Sequence, residues 1–140
     1  MSETDDLAAQ IGDDRSLLLL DDDEPFLRRL ARAMEKRGFI VEIAQTVAEA
    51  KQQVAARPPA YGVFDLRLQD GNGLDVVEAL RAVRPDARIV VLTGYGAIAS
   101  AVAAVKIGAT DYLSKPADAH DITAALLSLP DDKPAPPENP

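Results

Sequence analysis

The sequence predicts an α/β fold: an open, doubly wound parallel sheet with helices on both faces. Three observations carry that reading. Short apolar runs alternate with longer segments of helical period. The runs are continuously hydrophobic, the pattern of strands covered on both faces. Acidic and hydroxyl side chains recur where the runs end, and open α/β sheets place their sites at the carboxyl ends of their strands. With 140 residues, 47% of them hydrophobic, the chain is long enough for one domain with a sizeable core.

The strand candidates are Leu17 to Leu20, Phe39 to Ala44, Tyr61 to Phe64, Ile89 to Leu92 and Asp111 to Leu113. Between and after them run five helical stripes. The first is Phe26, Leu27, Leu30, Ala31 and Met34, and the second is Val47, Ala50 and Val54. Leu74, Val77, Leu80 and Ala82 make the third. The fourth, Ile98, Ala101, Val102 and Val105, is rich in alanine, and the fifth is Ile122, Ala125, Leu126 and Leu129. Gly38, Pro58-Pro59, Pro85 and Gly108 mark helix ends, where glycine caps or proline stops a helix. Five strand-helix units thus fill residues 16–129, and right-handed crossovers wind them into one sheet.

Charge divides the chain. Its 15 basic and 23 acidic side chains give −8, of which residues 1–15 carry −4 and residues 130–140 carry −2. Both ends read as solvated extensions, an acidic one at 1–15 and a proline-rich linker at 130–140. The linker implies a chain cut from something longer. No apolar run approaches the roughly 18 residues of a membrane span, and the start MSETDDLAAQ lacks a signal peptide's features. A soluble, cytoplasmic protein is expected. The absence of cysteine excludes disulfides, zinc-thiolate sites and thiol nucleophiles. The acidic balance excludes nucleic-acid binding by this chain alone.

The chemistry collects at strand ends. Asp21, Asp22, Asp23 and Glu24 follow the first strand. Helix capping accounts for Asp23 or Glu24 but poorly for Asp21 and Asp22, whose carboxylates repel unless a cation lies between them. Asp65 ends the third strand. If that strand neighbours the first, Asp21, Asp22 and Asp65 converge, and three hard oxygen donors suit Mg²⁺. Thr93 and Lys115 end the fourth and fifth strands, a hydroxyl and an ammonium fitted to a phosphoryl group carried by a carboxylate. Taken singly, Thr93 reads as a cap and Lys115 as a solvated lysine. His120, the only histidine, reads as a surface residue at a helix start.

The blocks LLLLDDDEPF, VFDLRLQDGNGLD, VVLTGYG and ATDYLSKPAD resemble, in order and spacing, the receiver domains of two-component response regulators. The resemblance spans about residues 16 to 129. In detail it is similar to the redox-responsive global regulators of the RegA/PrrA/ActR type. It implies a flavodoxin-like (CheY-like) sheet of strand order 2-1-3-4-5, with Asp65 as the phosphoacceptor from a sensor histidine kinase. It further implies Mg²⁺ held directly by Asp22 and Asp65, through water by Asp21, and by the backbone carbonyl of Arg67. Lys115 and Thr93 would stabilise the phosphoryl group, with a cis peptide between Lys115 and Pro116. Thr93 and Tyr112 would form the switch, although core packing is an equal reading of Tyr112. Output would be transcription control through a C-terminal helix-turn-helix domain that alone would contact DNA. Activation would proceed either by homodimerisation through the fourth helix, fifth strand and fifth helix or by relief of inhibition within one chain.

Two positions depart from the common pattern. Gln69 stands where many receivers have proline, and Gly94 where alanine is frequent. The Asp-Gly and Asn-Gly pairs of Leu68 to Gly73 are expected to turn the loop through positive φ angles. Among rivals, an aspartyl-phosphate phosphatase would need a second carboxylate where Arg67 stands. A nucleotide-binding module would need a glycine-rich phosphate loop, which follows no strand. A pseudo-receiver acting only by protein contacts is at odds with the full set of acids, threonine and lysine.

Overall fold

In the computed structural model, residues 14–94 and 98–127 are described. The N-terminal extension up to residue 13, the 130–140 linker and Leu129 lie outside them. Five strands, β1 (Ser16–Leu20), β2 (Ile40–Ala44), β3 (Tyr61–Asp65), β4 (Arg88–Thr93) and β5 (Asp111–Ser114), form one parallel sheet. Five helices follow them: α1 (Glu24–Lys36), α2 (Val47–Ala56), α3 (Gly73–Val83), α4 (Ile98–Lys106) and α5 (Ala119–Leu127). The strand order is β2-β1-β3-β4-β5, as expected, so β3 lies beside β1 at the sheet centre.

The pleat sorts the core into two layers. Leu18, Leu20, Phe64, Ile89 and Val91 face Val54, Val77 and Leu80 of α2 and α3. Leu17, Leu19, Val63, Val90 and Leu92 face Leu27, Leu30, Met34, Ile122 and Leu126 of α1 and α5. Burial on both faces holds for β1, β3 and β4 but not for the outer strands. In β2, Ile40 and Glu42 are exposed, and β5 is only half-buried, because each has a neighbour on one side alone.

Helix boundaries follow local chemistry. Asp23 accepts from the Phe26 amide at the start of α1, Thr46 from Glu49 at α2, and Asn72 from Leu74 at α3. Gly38 (φ 103°) and Gly108 (φ 124°) end α1 and α4 in the left-handed conformation, which glycine adopts without a Cβ penalty.

Two stripes differ from the periodicity reading. On α3 the buried face is Val76, Val77 and Leu80, while Ala82 is exposed. On α4 the buried residues are Ala101 and Ala104, whereas Val102 and Val105 are 41% and 40% exposed. Alanine's small side chain lets α4 lie close on the sheet, and the larger valines are left outside.

The edge of the sheet opposite the strand carboxyl ends is tied by arginines. Arg81 on α3 donates to the carbonyls of Pro85 and Gly108, and Arg88 of β4 donates to Leu126 at the end of α5. Arg84 donates to the Pro58 carbonyl at 2.9 Å and pairs with Asp14 at 2.8 Å. Asp14, placed by the sequence in the N-terminal extension, also accepts from the amide and hydroxyl of Ser16.

Candidate functional site

The three central strands deliver the site. β1 ends at Leu20, and Asp21 continues its line, its amide donating a hydrogen bond to the Ala44 carbonyl of β2. Asp21 is 2% exposed and Asp65, the last residue of β3, is 6% exposed, while Asp22 is open to solvent. One carboxylate oxygen from each of Asp21, Asp22 and Asp65 lies within 4.8 Å of the others. The convergence expected from strand order is therefore present.

Each oxygen of Asp65 has a role. Oδ1 accepts from the Arg67 amide at 3.2 Å, and Oδ2 lies 3.2 Å from Lys115 Nζ. The same ammonium sits 2.7 Å from Asp21 Oδ2, an ion pair outside hydrogen-bonding alignment, so that buried oxygen has no aligned donor. Nζ also stands 5.1 Å from the Phe26 ring centroid, within cation-π range. Lys115 precedes a cis bond to Pro116. Phe26 entered the sequence reading only as part of an apolar stripe. Its contact with a lysine 89 positions away has no local signal.

Two buried carboxylates thus share one ammonium. Burial pushes the Asp65 carboxyl above its ordinary range, and neighbouring Asp21 adds to the rise against Lys115 and the Arg67 amide. Burial alone would lower the Lys115 ammonium, but Asp21 and Asp65 outweigh it and hold it above its usual value. A further cation would relieve this excess of negative charge. The donor set is all oxygen, close-set, and includes an oxygen without an aligned donor, so Asp21, Asp22 and Asp65 fit a hard metal ion.

Thr93 ends β4 one position beyond the residue paired with Asp65. It is 1% exposed and its Oγ1 has no hydrogen-bond partner among the described residues, an arrangement that costs about 1–3 kcal/mol. Tyr112 pairs in register with Val91, two residues before Thr93, and packs half-buried on the α3 and α4 side of the sheet. Gly94 is half-buried, and a Cβ there would meet nothing within 4 Å. His120 is exposed at the start of α5, away from these contacts.

The loop after Asp65 meets the expected positive φ at one of its two glycines. Arg67–Leu68 and Gly71–Asn72 form a short antiparallel ladder, with Gln69 and Asp70 as its turn. Gly71 carries a positive φ of 158°, as the Asp-Gly pair led one to expect, whereas Gly73 has no positive φ. What Gly73 supplies is space, since a Cβ there would lie 2.2 Å from the Asp65 carbonyl oxygen. A cavity of about 510 Å³ lies between α1 and the start of α5, lined by Phe26, Arg29, Leu30, Pro116 and Ala119 among others.

The parallel five-stranded sheet thus brings three acids and a lysine to its carboxyl edge, the arrangement expected of a receiver-type signalling domain, and the family match agrees. Residues 17–127 match the family of response regulator receiver domains, and the chain belongs to that family. It is 73% identical over 136 residues to the photosynthetic apparatus regulatory protein RegA of Cereibacter sphaeroides, covering 97% of this chain and 74% of that one. It is 64% identical over 130 residues to the acid tolerance regulatory protein ActR of Rhizobium meliloti, covering 93% and 67%. Among solved structures it resembles a Burkholderia pseudomallei response regulator with a phosphorylated aspartic acid, a calcium ion and citrate. There the TM-score is 0.76 at 45% identity, with 81% of this chain and 66% of that one covered. It also resembles a beryllofluoride-activated NtrC4 receiver domain dimer, with a TM-score of 0.71 at 28% identity over 79% and 93% of the chains. The chain is therefore a signalling domain of a two-component response regulator. Among the described residues no helix is long and apolar enough to cross a membrane.

Proposed function

We propose that Asp65 is the phosphoacceptor, taking a phosphoryl group from a phosphohistidine of a sensor kinase in a Mg²⁺-dependent reaction. The observation that carries this is the pairing of a buried carboxylate with Lys115, beside a second buried acid and one strand away from a buried hydroxyl without a partner. Asp22 and Asp65 would hold the ion directly, with the Arg67 carbonyl, and Asp21 would hold it through water. Bound there, Mg²⁺ supplies the positive charge that lets an anionic phosphoryl group approach an anionic nucleophile.

The remaining work belongs to the chain. Asp65 Oδ2 or Oδ1 attacks in line, the P–N bond to the donor imidazole breaks, and the histidine leaves with that electron pair. Lys115 transfers its pairing from the carboxylates to the phosphoryl oxygens. The Thr93 hydroxyl gains its missing acceptor in the same oxygens. That movement opens space beside Val91 into which Tyr112 turns, so a local charge change biases a two-state element. The α4, β5 and α5 face then changes, and the exposed Val102 and Val105 offer a dimer contact there. The output is transcription control through DNA contacts made elsewhere in the full-length regulator, under a redox-responsive kinase, a reading supported by the likeness to regulatory proteins RegA and ActR.

Acetyl phosphate with Mg²⁺ tests the core of this reading. Mass spectrometry of the intact chain should show one added phosphoryl group, lost in Asp65→Asn and after chelation of the metal. No uptake by the unaltered chain, or equal uptake by Asp65→Asn, would overturn it.

A further inference from the structure

We infer that Asp70 is a positioning residue for the phosphoryl-transfer site: it pins the loop after Asp65 onto the amino terminus of α2 and supplies the stiffness that a proline at position 69 would give. The inference rests on the reading of Asp65 as a metal-dependent phosphoacceptor, because Asp70 touches none of the reacting groups.

The observation is a long-range staple. Asp70 Oδ1 accepts from the Val47 amide at 2.8 Å, and Oδ2 accepts from the Ala48 amide at 3.2 Å. Val47 and Ala48 are the first two residues of α2, whose free amides need acceptors. α2 already has its own cap, with Thr46 accepting from Glu49 and Glu49 accepting from the Gln45 amide. Asp70 is therefore an addition, brought from a different loop across 23 positions of sequence. The Val47 bond, first among several, holds the Asp70 carboxyl below its usual range. Both bonds are thus made by the ionised form.

The α2 terminus grips the other acidic loop as well. The Ala44 carbonyl accepts from the Asp21 amide at 3.2 Å, and the Gln45 side chain donates to Glu24 at 3.1 Å. Residues 44–48 therefore hold the loop carrying Asp21 and Asp22 on one side and the loop carrying Arg67 on the other. Through the ladder of Arg67 with Asn72, a shift of Asp70 reaches the Arg67 amide, which holds Asp65 Oδ1. The relative placement of the acids depends on both grips.

The turn shows why the staple is needed. Gln69 and Asp70 are its two central residues, and neither has a positive φ. Such a turn takes proline at its first central position, where Gln69 stands, and glycine at its last, where Gly71 stands. Without proline the first central residue keeps its full backbone freedom. The Asp70 carboxylate restrains it from outside.

The test measures Mg²⁺ affinity directly, by calorimetric titration of MgCl₂ into the unphosphorylated chain, together with the Mg²⁺ dependence of acetyl phosphate uptake. Asp70→Ala should weaken Mg²⁺ binding about tenfold, the range found when a residue supporting a metal ligand is lost. Uptake at saturating Mg²⁺ should stay close to that of the unaltered chain. Adding Gln69→Pro to Asp70→Ala should recover most of the affinity. Val54→Ala, which hollows the core beneath the far end of α2 without touching its amino terminus or the loop, should lower thermal stability and leave Mg²⁺ affinity unchanged, separating positioning from helix stability. Asp70→Asn, nearly isosteric, serves if the alanine variant unfolds, and should fall between it and the unaltered chain. Unchanged affinity in Asp70→Ala and Asp70→Asn would overturn the inference, and so would a double variant without recovery. An unaltered chain that binds no Mg²⁺ and takes up no phosphoryl group would instead remove the functional reading beneath it, and the inference with it.

Discussion

Gly73→Ala should be the most informative single-methyl change in this domain. Gly73 begins α3 and is buried against the backbone that follows β3. A Cβ at this position would meet the Asp65 carbonyl oxygen at 2.2 Å, its carbon at 3.1 Å and the Leu66 Cα at 3.2 Å. All three atoms are backbone, so no side chain can swing aside. Relief requires the first turn of α3 and the Asp65–Leu66 segment to separate by about 1 Å, and forced repacking of this kind costs about 1–3 kcal/mol. The separation also stretches the bond from the Gly73 amide to the Leu66 carbonyl, now 3.0 Å, for about 1 kcal/mol more. Alanine returns about 0.5–1 kcal/mol by restricting the unfolded chain. The net expectation is about 1–3.5 kcal/mol of destabilisation, which lowers a urea midpoint by about 0.7–2.3 M for a slope of about 1.5 kcal/mol/M. Phosphoryl uptake from acetyl phosphate should slow as well, because the displaced segment carries the acceptor. Gly94→Ala is the matched control at the same edge, where nothing lies within 4 Å, and it should stay within about 0.5 kcal/mol of the unaltered chain. Equal urea midpoints for Gly73→Ala and Gly94→Ala would refute the packing argument.

Thr93→Val removes a buried hydroxyl without a partner and should raise stability by about 1 kcal/mol, read from urea melts. It should leave uptake at Asp65 in place while abolishing the accompanying amide shifts of α4 in NMR spectra. Asp65→Asn in a chelator should raise the urea midpoint at neutral pH. A carboxyl pushed upward by burial lends stability only while protonated and loses it as pH rises, so the gap should close on acidification. Asp14 is held down to about 2, first by the Ser16 hydroxyl and amide and then by Arg84. A depressed carboxyl contributes above its unfolded value near 4 and loses that contribution as pH falls toward about 2. Because its side chain is 48% exposed, Asp14→Asn should cost only about 0.5–1 kcal/mol near neutrality, with the difference vanishing across that acid window in pH-dependent melts.

The sheet was readable because each short, largely apolar run is separated from the next by a stripe of helical period, and its order followed from the family resemblance. The edge position of β2 was legible only in hindsight, through Glu42 inside an otherwise apolar run. The face of α4 was not legible, since alanine and valine are both apolar and periodicity cannot say which packs inward. Asp21, Asp22, Asp65 and Lys115 could be grouped because all stand at strand ends, where topology does the assembling. Asp70 could not be found this way. Asp-Gly reads locally as a turn, and nothing in the spacing reveals that its carboxylate reaches the start of another helix. Gly73 was assigned the right importance for the wrong reason, conformational freedom where the structure needs room.

Arg81 holding the Gly108 carbonyl has a mechanical consequence for α4. The tie fixes the carboxyl end of that helix to α3, while its other end leads back toward Thr93. If Thr93 moved, a helix so fastened would act as a lever with its fulcrum at Gly108. Its nine residues make an arm of about 13 Å, so a pull of about 1.5 Å at Ile98 tilts it by about 7°. Such a swing would carry Val102 and Val105 sideways over the surface while the arginine ties held the opposite edge of the sheet.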